Sequence, residues 1–370
     1  MDYNVIIIGA GVIGLSVANS LAKMGFKSVL IIDKNRTYGL GISSRNSEVI
    51  HSGIYYPSKS NKAKYCSIGR DLLYSFCKEN NIWHKKIGKI IVANENQDED
   101  IQNLFKNGKK NNIPDIEIVG EENIKQMEPY VKAKLGLHIG CTGIVDSHGL
   151  MNVLYNKSIK SDHDYLFMSS VIDSKKIKKG YSISIVNSLG EKENVTSFWV
   201  VNCAGLNSDV IANQLAYENK KPIISFSKGC YFKISSKWKN RFNRLIYPLP
   251  DKKNDALGIH LSFDKNGYAR LGPSAHWLNT KEEDYNVDDG LTDLFFHAAT
   301  RYINGLDKND IYPDFAGIRP KLKMHNGNSD FYISHEKDNG YPGYINLIGI
   351  DSPGLTSSIA IGNDIASLIA

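Results

Sequence analysis

The sequence predicts an α/β fold, α+β overall, in which a domain built on a parallel sheet carries an inserted, mainly antiparallel β-sheet domain. Three observations carry this prediction. A Gly-rich hexapeptide stands between an apolar strand and an amphipathic helix at the N-terminus. Strand, turn and helix patterns return before residue 205 and again at the C-terminus. Between them the chain changes to short strands of alternating polarity, the mark of antiparallel sheets with one covered face. A length of 370 residues fits two interleaved domains with ample core, and 42% hydrophobic and 23% charged residues exclude disordered or collagen-like chains.

In order along the chain, Val5-Ile6-Ile7-Ile8 is a β-branched run too short for a helix. Leu15, Ala18, Leu21 and Ala22 then recur at helical spacing until Gly25, and Ser28 to Asp33 is a second buried strand. That β-α-β unit faces a ligand with the loops at its strand ends. Lys62 to Asn80 repeats helical spacing through Ala63, Cys66, Leu72, Leu73 and Phe76. From Trp83 to Gly143 short strands and a polar helix over 98–112, closed by Pro114, predict a different layer. A second β-α pattern runs through Gly149 to Ile159, Leu166-Phe167-Met168 and Val171, and ends in Phe198 to Gly205. Pro222 to Gly272 alternates in Cys230 to Ile234 and Leu257-Gly258-Ile259-His260-Leu261, predicting an antiparallel sheet with one face on a pocket. Tyr344 to Gly349, the turn Ser352-Pro353-Gly354-Leu355-Thr356 and an apolar helix to Ala370 repeat strand, turn and helix. The expected division is 1–82, 144–220 and 315–370 for the nucleotide domain, with 83–143 and 221–314 for the substrate or cap domain.

Charge and cysteines narrow the class. Forty-five Lys and Arg against 39 Asp and Glu leave +6, too mild and too evenly spread for a nucleic-acid partner but suited to an acidic small molecule. Cys66, Cys77, Cys141, Cys203 and Cys230 are odd in number and widely spaced, which fits reduced thiols and a cytoplasmic location. The apolar run Val5 to Ile13 is interrupted by Gly9 and Gly11 and lacks a preceding basic segment, so it does not read as a signal peptide. No apolar stretch of about 18 residues or more predicts a membrane span, which leaves peripheral contact with the inner face of a membrane open. His138, Cys141 and His148 are close in sequence but lack the paired short spacing of a metal site, so no metal is expected.

Gly9-Ala10-Gly11-Val12-Ile13-Gly14 is GxGxxG between strand and helix. Gly9 allows the turn, Gly11 lets a pyrophosphate approach the backbone and Gly14 lets helix pack on strand. Asp33 follows Gly14 by 19 residues at the end of the second strand, where a carboxylate meets ribose hydroxyls. The fingerprint alone does not separate NAD from FAD.

The segment Ser43-Ser44-Arg45-Asn46-Ser47-Glu48-Val49-Ile50-His51-Ser52-Gly53-Ile54-Tyr55-Tyr56 resembles the loop after this fingerprint in the D-amino-acid-oxidase-like flavoproteins, and most closely in their L-2-hydroxyglutarate dehydrogenase branch. Further strings extend the resemblance in the same order along nearly the whole chain. They are Thr142-Gly143-Ile144-Val145-Asp146, Val201 to Asp209, Ile246-Tyr247-Pro248-Leu249-Pro250, Gly258-Ile259-His260, Leu271-Gly272-Pro273, Gly317-Ile318-Arg319 and Thr356 to Gly362. Two positions depart from the family pattern: Glu48 replaces the usual Gly, and Asp33 the more frequent Glu.

The resemblance implies a Rossmann-like FAD-binding domain with an inserted, mainly antiparallel β-sheet substrate domain. It implies FAD held by Gly9, Gly11, Gly14 and Asp33, by Ser44, Arg45, Asn46 and Ser47, by Val171, Ala204 and Gly205, and by Gly354, Leu355 and Thr356. It further implies oxidation of a 2-hydroxy acid, with L-2-hydroxyglutarate giving 2-oxoglutarate, and an electron acceptor such as quinone or oxygen. That chemistry needs a base for the hydroxyl proton, a hydride acceptor and a cation for the substrate carboxylate. Arg319, flanked by Gly317 and Pro320 at an expected strand-end turn, is the expected carboxylate clamp. His260 and His51 are the candidate bases, His260 preferred because Ile259 and Leu261 share the opposite face. Tyr55, Tyr56, Tyr231 and Phe232 either cover the flavin or pack in strands. Amine or amino-acid oxidation, as in glycine or sarcosine oxidases, is the rival enzyme reading, and a flavin-binding module without turnover is a third.

Overall fold

A computed structural model describes residues 1–94, 96–217, 221–249, 258–322 and 329–370, so Pro250 and Leu257 of the strings above lie outside the described residues. The N-terminal half contains β1 (Tyr3–Ile8), α1 (Val12–Lys23), β2 (Val29–Ile32), β3 (Val49–Ile50), α2 (Asn61–Glu79), β4 (His84–Lys86), β5 (Lys89–Ala93), α3 (Asp98–Lys110), β6 (Ile116–Gly120), α4 (Glu121–Met127), β7 (Leu135–Ile139), β8 (Gly143–Val145) and α5 (Ser147–Ile159). Then come β9 (Asp164–Leu166), β10 (Ser169–Ile177), β11 (Gly180–Asn187), β12 (Lys192–Asn202), α6 (Ser208–Ala212) and β13 (Ile224–Ile234). The remainder is β14 (Leu245–Pro248), β15 (Leu261–Phe263), β16 (Ala269–Leu271), β17 (His276–Trp277), α7 (Thr292–Thr300), β18 (Ile311–Leu322), β19 (Tyr332–His335), β20 (Tyr344–Ile348) and α8 (Gly354–Ile369).

The first sheet holds eight strands, with β10-β11-β12-β1-β2-β9 in order and β20 and β19 continuing beside β12. Its parallel centre is β20-β12-β1-β2-β9. All four residues of β2 and the last four of β1 are buried, because helices cover one face and further chain the other. One face packs on α1 and α8 through Val5, Ile7, Val17, Leu21, Ile31 and Ile361. On the side away from β1, β12 serves two partners: residues 192–197 pair antiparallel with β11, and 200–202 pair parallel with β20. β10, β11 and β12 therefore form a meander where the sequence predicted a continuing β-α pattern. Its hairpin turns at Gly180 and Gly190 have φ of 97° and 81°, so they are turn glycines.

The second sheet has nine strands in the order β17-β13-β16-β15-β14-β5-β7-β6, with β18 on the outer side of β13. It is mainly antiparallel, with β14 and β5 parallel. One face carries α7 on a core of Ile90, Phe232, Leu261, Leu271 and Phe295. A three-stranded sheet, β3-β8-β4, connects the two.

Two expectations change here. The boundary at 315 cuts β18, whose residues 311–322 pair with β13 and belong to the second sheet. Arg319 thus lies within a twelve-residue strand opposite Ser227, and no turn surrounds it. Among the described residues β18 pairs with β13 alone, and such an edge strand tolerates Pro313 and Pro320.

Candidate active site

A deep cleft runs from the N-terminus of α1 and the end of β2, past α6 and α8, to the face of the second sheet. β1 delivers the chain to Gly9, whose φ of 106° and close approach to the Cys203 carbonyl exclude a Cβ. A Cβ on Gly14 would run into the Gly9 carbonyl, so its place is in helix-on-strand packing and it does not line the cleft. Gly11 is the N-cap of α1 and offers no side chain, and Val12 N donates to Ser43 Oγ at 3.0 Å. α8 starts at Gly354 behind Pro353, again without a side-chain cap. Two helix N-termini uncapped by their own residues therefore meet one cleft, which suits phosphate and carbonyl oxygens.

Asp33 lines the cleft and ties β2 to the Gly-rich turn, Oδ2 accepting from Ala10 N at 2.8 Å and Oδ1 from Asn35 N at 2.8 Å. Arg45, Asn46 and Ser47 line it as well, and so do Val171, Ala204, Gly205, Gly354 and Leu355. Ser44 and Thr356 do not. Ser44 Oγ donates to the Gly41 carbonyl, and Thr356 Oγ1 accepts from His51 N at 3.0 Å, holding the loop that carries the histidine. Glu48 takes a left-handed φ of 57°, and its carboxylate accepts from Ser147 N at 3.1 Å and Ser147 Oγ at 2.8 Å. The departure from glycine thus fastens the loop to the first turn of α5, where a carboxylate complements the helix dipole.

His51, His260 and Arg319 converge at the other end of the cleft. His260 immediately precedes β15 and is 4% exposed, with Ile259 and Leu261 in the opposite core as the alternation predicted. Its ring stacks on Tyr247 at 3.8 Å and 11°, and Nδ1 has no partner. Burial, with the positive charges of Lys89 and Arg319 added, pulls its imidazole down to about 3. Burial and Lys89 do the same to His51, also to about 3. The expectation of a base titrating near neutrality therefore changes: both rings are uncharged, hence able to accept a proton, throughout the physiological range.

Arg319 donates from Nη2 to the Ser274 carbonyl at 2.8 Å, while its buried Nε has no partner. Among the described residues no carboxylate pairs with it, so the guanidinium is a cation awaiting an anion. Burial lowers its pKa against the pull of Tyr231 and Asp351. Tyr231 lines the cleft, stacks on Phe315 at 4.4 Å and shares a 2.8 Å hydrogen bond with Ser47 Oγ, whereas Phe232 packs in the core. Tyr55 and Tyr56 lie behind the cleft wall, their rings facing the Lys89 and Lys62 ammonium groups.

Sequence reasoning missed Asp351, which lines the cleft just before the α8 turn. Its carboxylate sits 2.6 Å from both Lys62 Nζ and Lys321 Nζ, joining α2, β18 and α8. Burial opposes the charged carboxyl, but the two ammonium groups outweigh it and hold the pKa below the ordinary carboxylate range. A lowered folded pKa gives stability that is present above the unfolded value and lost as pH falls through the folded one. Asp351→Asn should cost about 3–5 kcal/mol in urea unfolding at neutral pH, because buried Lys62 and partly exposed Lys321 lose their partner. An unchanged midpoint would remove the triad from the list of stabilising contacts. Two more contacts went unread: Lys34 pairs with Glu283 at 2.7 Å, and Arg45 lies 4.0 Å over the Tyr285 ring, so residues 283–285 cross the cleft mouth. Partners more than two hundred residues apart leave no local signal.

Comparison with known proteins agrees with this geometry. Residues 4–368 match the family of FAD dependent oxidoreductases. The chain is 34% identical to the mitochondrial L-2-hydroxyglutarate dehydrogenase of Arabidopsis thaliana, over 98% of this chain and 82% of that protein. It is 30% identical to the human mitochondrial L-2-hydroxyglutarate dehydrogenase, over 99% and 88%. Among solved structures, the FAD-bound L-alpha-glycerophosphate oxidase of Mycoplasma pneumoniae superposes with a TM-score of 0.87 at 25% identity, covering 99% of this chain and 94% of that one.

Proposed function

We propose, from the premise that the chain belongs to the family of FAD-dependent oxidoreductases, that it is a dehydrogenase oxidising L-2-hydroxyglutarate to 2-oxoglutarate. The observation that carries this reading is the unpaired Arg319 guanidinium in one cleft with two uncharged imidazoles. The cleft fits FAD: two uncapped helix N-termini, Asp33 at the end of β2 and a turn with no room for side chains stand where phosphates, ribose and flavin oxygens need donors and space. When bound, FAD supplies the acceptor for the hydride from the carbinol carbon. The protein does the rest. Arg319 fixes the substrate carboxylate through its planar fork, and His260 or His51 takes the hydroxyl proton as the carbon becomes a carbonyl. Two relatives at 34% and 30% identity carry this activity in their names, which sets 2-hydroxy acids ahead of amines.

The test is anaerobic mixing with L-2-hydroxyglutarate, its D-enantiomer, glycerol 3-phosphate, glycine and sarcosine, followed by flavin absorbance. Bleaching by L-2-hydroxyglutarate is expected. Bleaching by glycerol 3-phosphate or an amine alone would overturn the reading. In the same assay His260→Ala should slow flavin reduction roughly 10²–10⁴-fold with FAD content intact. An undiminished rate there with a collapsed rate in His51→Ala would move the base to His51. Because both rings are uncharged down to about pH 3, wild-type kcat/KM should show no acid limb between about pH 5.5 and 7.

A further inference from the structure

Lys89 is the first residue of β5, yet it is 1% exposed. β5 pairs with β14 in a register that puts Leu245 beside Lys89 and Tyr247 beside Ile91, so Lys89 and Tyr247 share the face toward the cleft. The ammonium lies 4.7 Å from the Tyr247 ring centroid and 4.9 Å from that of Tyr55. Tyr247 is the residue on which His260 stacks. Among the described residues no carboxylate and no hydrogen-bond acceptor contacts Nζ. The groups facing it are the two tyrosines, the thiols of Cys66 on α2 and Cys141 before β8, and the imidazoles of His51 and His260.

A buried, unpaired ammonium is a liability for folding, and methionine would fill the space at less cost. Such a cation beside a cleft points to function. We propose that Lys89 is a positioning residue of the active site: its ammonium grips the rings of Tyr55 and Tyr247 and, through the Tyr247–His260 stack, fixes the imidazole in the cleft wall. Its charge has a second consequence, since it opposes protonation of both histidines and so holds them in the neutral form. Arg319 adds to that field at His260, while the backbone contact with Gly258 opposes it. Burial brings Lys89 itself down to about 8 against the pull of the two thiols, so the field fades in mildly alkaline solution.

The proposal rests on the 2-hydroxy-acid reading, and the experiment separates the two. FAD-loaded Lys89→Met and Lys89→Arg are compared with wild type in melting temperature, in histidine-ring NMR titration and in flavin reduction by L-2-hydroxyglutarate across pH. Lys89→Met should melt no lower than wild type, keep its FAD, reduce flavin about 30-fold more slowly at neutral pH and titrate His51 and His260 closer to the ordinary value of about 6.5. Lys89→Arg should return the rate to within about threefold and abolish the decline of wild type above about pH 8. Unshifted histidines in Lys89→Met, or a lower melting temperature with no rescue by arginine, would make Lys89 a packing residue and overturn the proposal. Wild-type flavin that no 2-hydroxy acid reduces would fail the functional reading alone, because melting and histidine titration still decide the role of Lys89.

Discussion

Replacing Gly11 by valine should yield a folded, colourless protein. Gly11 has φ −76° and ψ 179°, an extended conformation open to any residue, so the backbone does not demand glycine there. A Cβ would meet Ser43 Oγ at 3.1 Å, a contact that a small shift of one hydroxyl relieves. The demand comes from the cleft, because Gly11 lines it at the uncapped start of α1, where branched methyl groups would occupy the approach of the pyrophosphate. Steric exclusion of the pyrophosphate from the backbone donors should weaken FAD binding at least about 100-fold, or about 3 kcal/mol. Flavin absorbance of the purified variant and its unfolding curve check this directly. Gly9→Val provides the contrast, since the positive φ and the Cys203 carbonyl make that change a folding defect. Full FAD occupancy in Gly11→Val would place the pyrophosphate elsewhere.

Arg319→Lys should keep FAD and lose the substrate. The guanidinium is anchored to the Ser274 carbonyl by Nη2, which leaves the rest of the fork for a carboxylate, and Gly229 beside it leaves room. A lysine keeps the charge but neither the anchored plane nor the paired donors. Losing one charge-assisted hydrogen bond, worth about 1.5–3 kcal/mol, predicts kcat/KM lower by roughly 10- to 150-fold, mostly through KM. Arg319→Met removes the charge as well and should fall further while melting no lower, since a half-buried cation without a carboxylate partner is gone. Anaerobic flavin reduction at graded substrate concentrations gives both parameters. Wild-type kinetics in Arg319→Lys would take the residue out of the carboxylate site, and loss of FAD would make it a cofactor residue.

The local sequence pattern was enough for the opening β-α-β unit of this protein, though not for the β10–β12 meander. GxGxxG between β1 and α1 and the alternation around His260 depend on neighbours a few residues apart, and backbone geometry makes such patterns readable one segment at a time. Tertiary structure alone decided the charges. Lys62 and Asp351 stand 289 residues apart in the chain, and nothing near either one announces the buried pair or its third member, Lys321. Lys89 drew no notice in the sequence, and the packing of Tyr55 and Tyr247 makes it a buried cation. Arg319 read as a turn residue because Gly317 and Pro320 flank it, until pairing along one side of β18 gave both a place inside a strand. The two histidines were legible as candidates but not in their state of charge. That state is set by burial and by cations brought from β5 and β18, through distances and a local dielectric that exist only once the chain has folded.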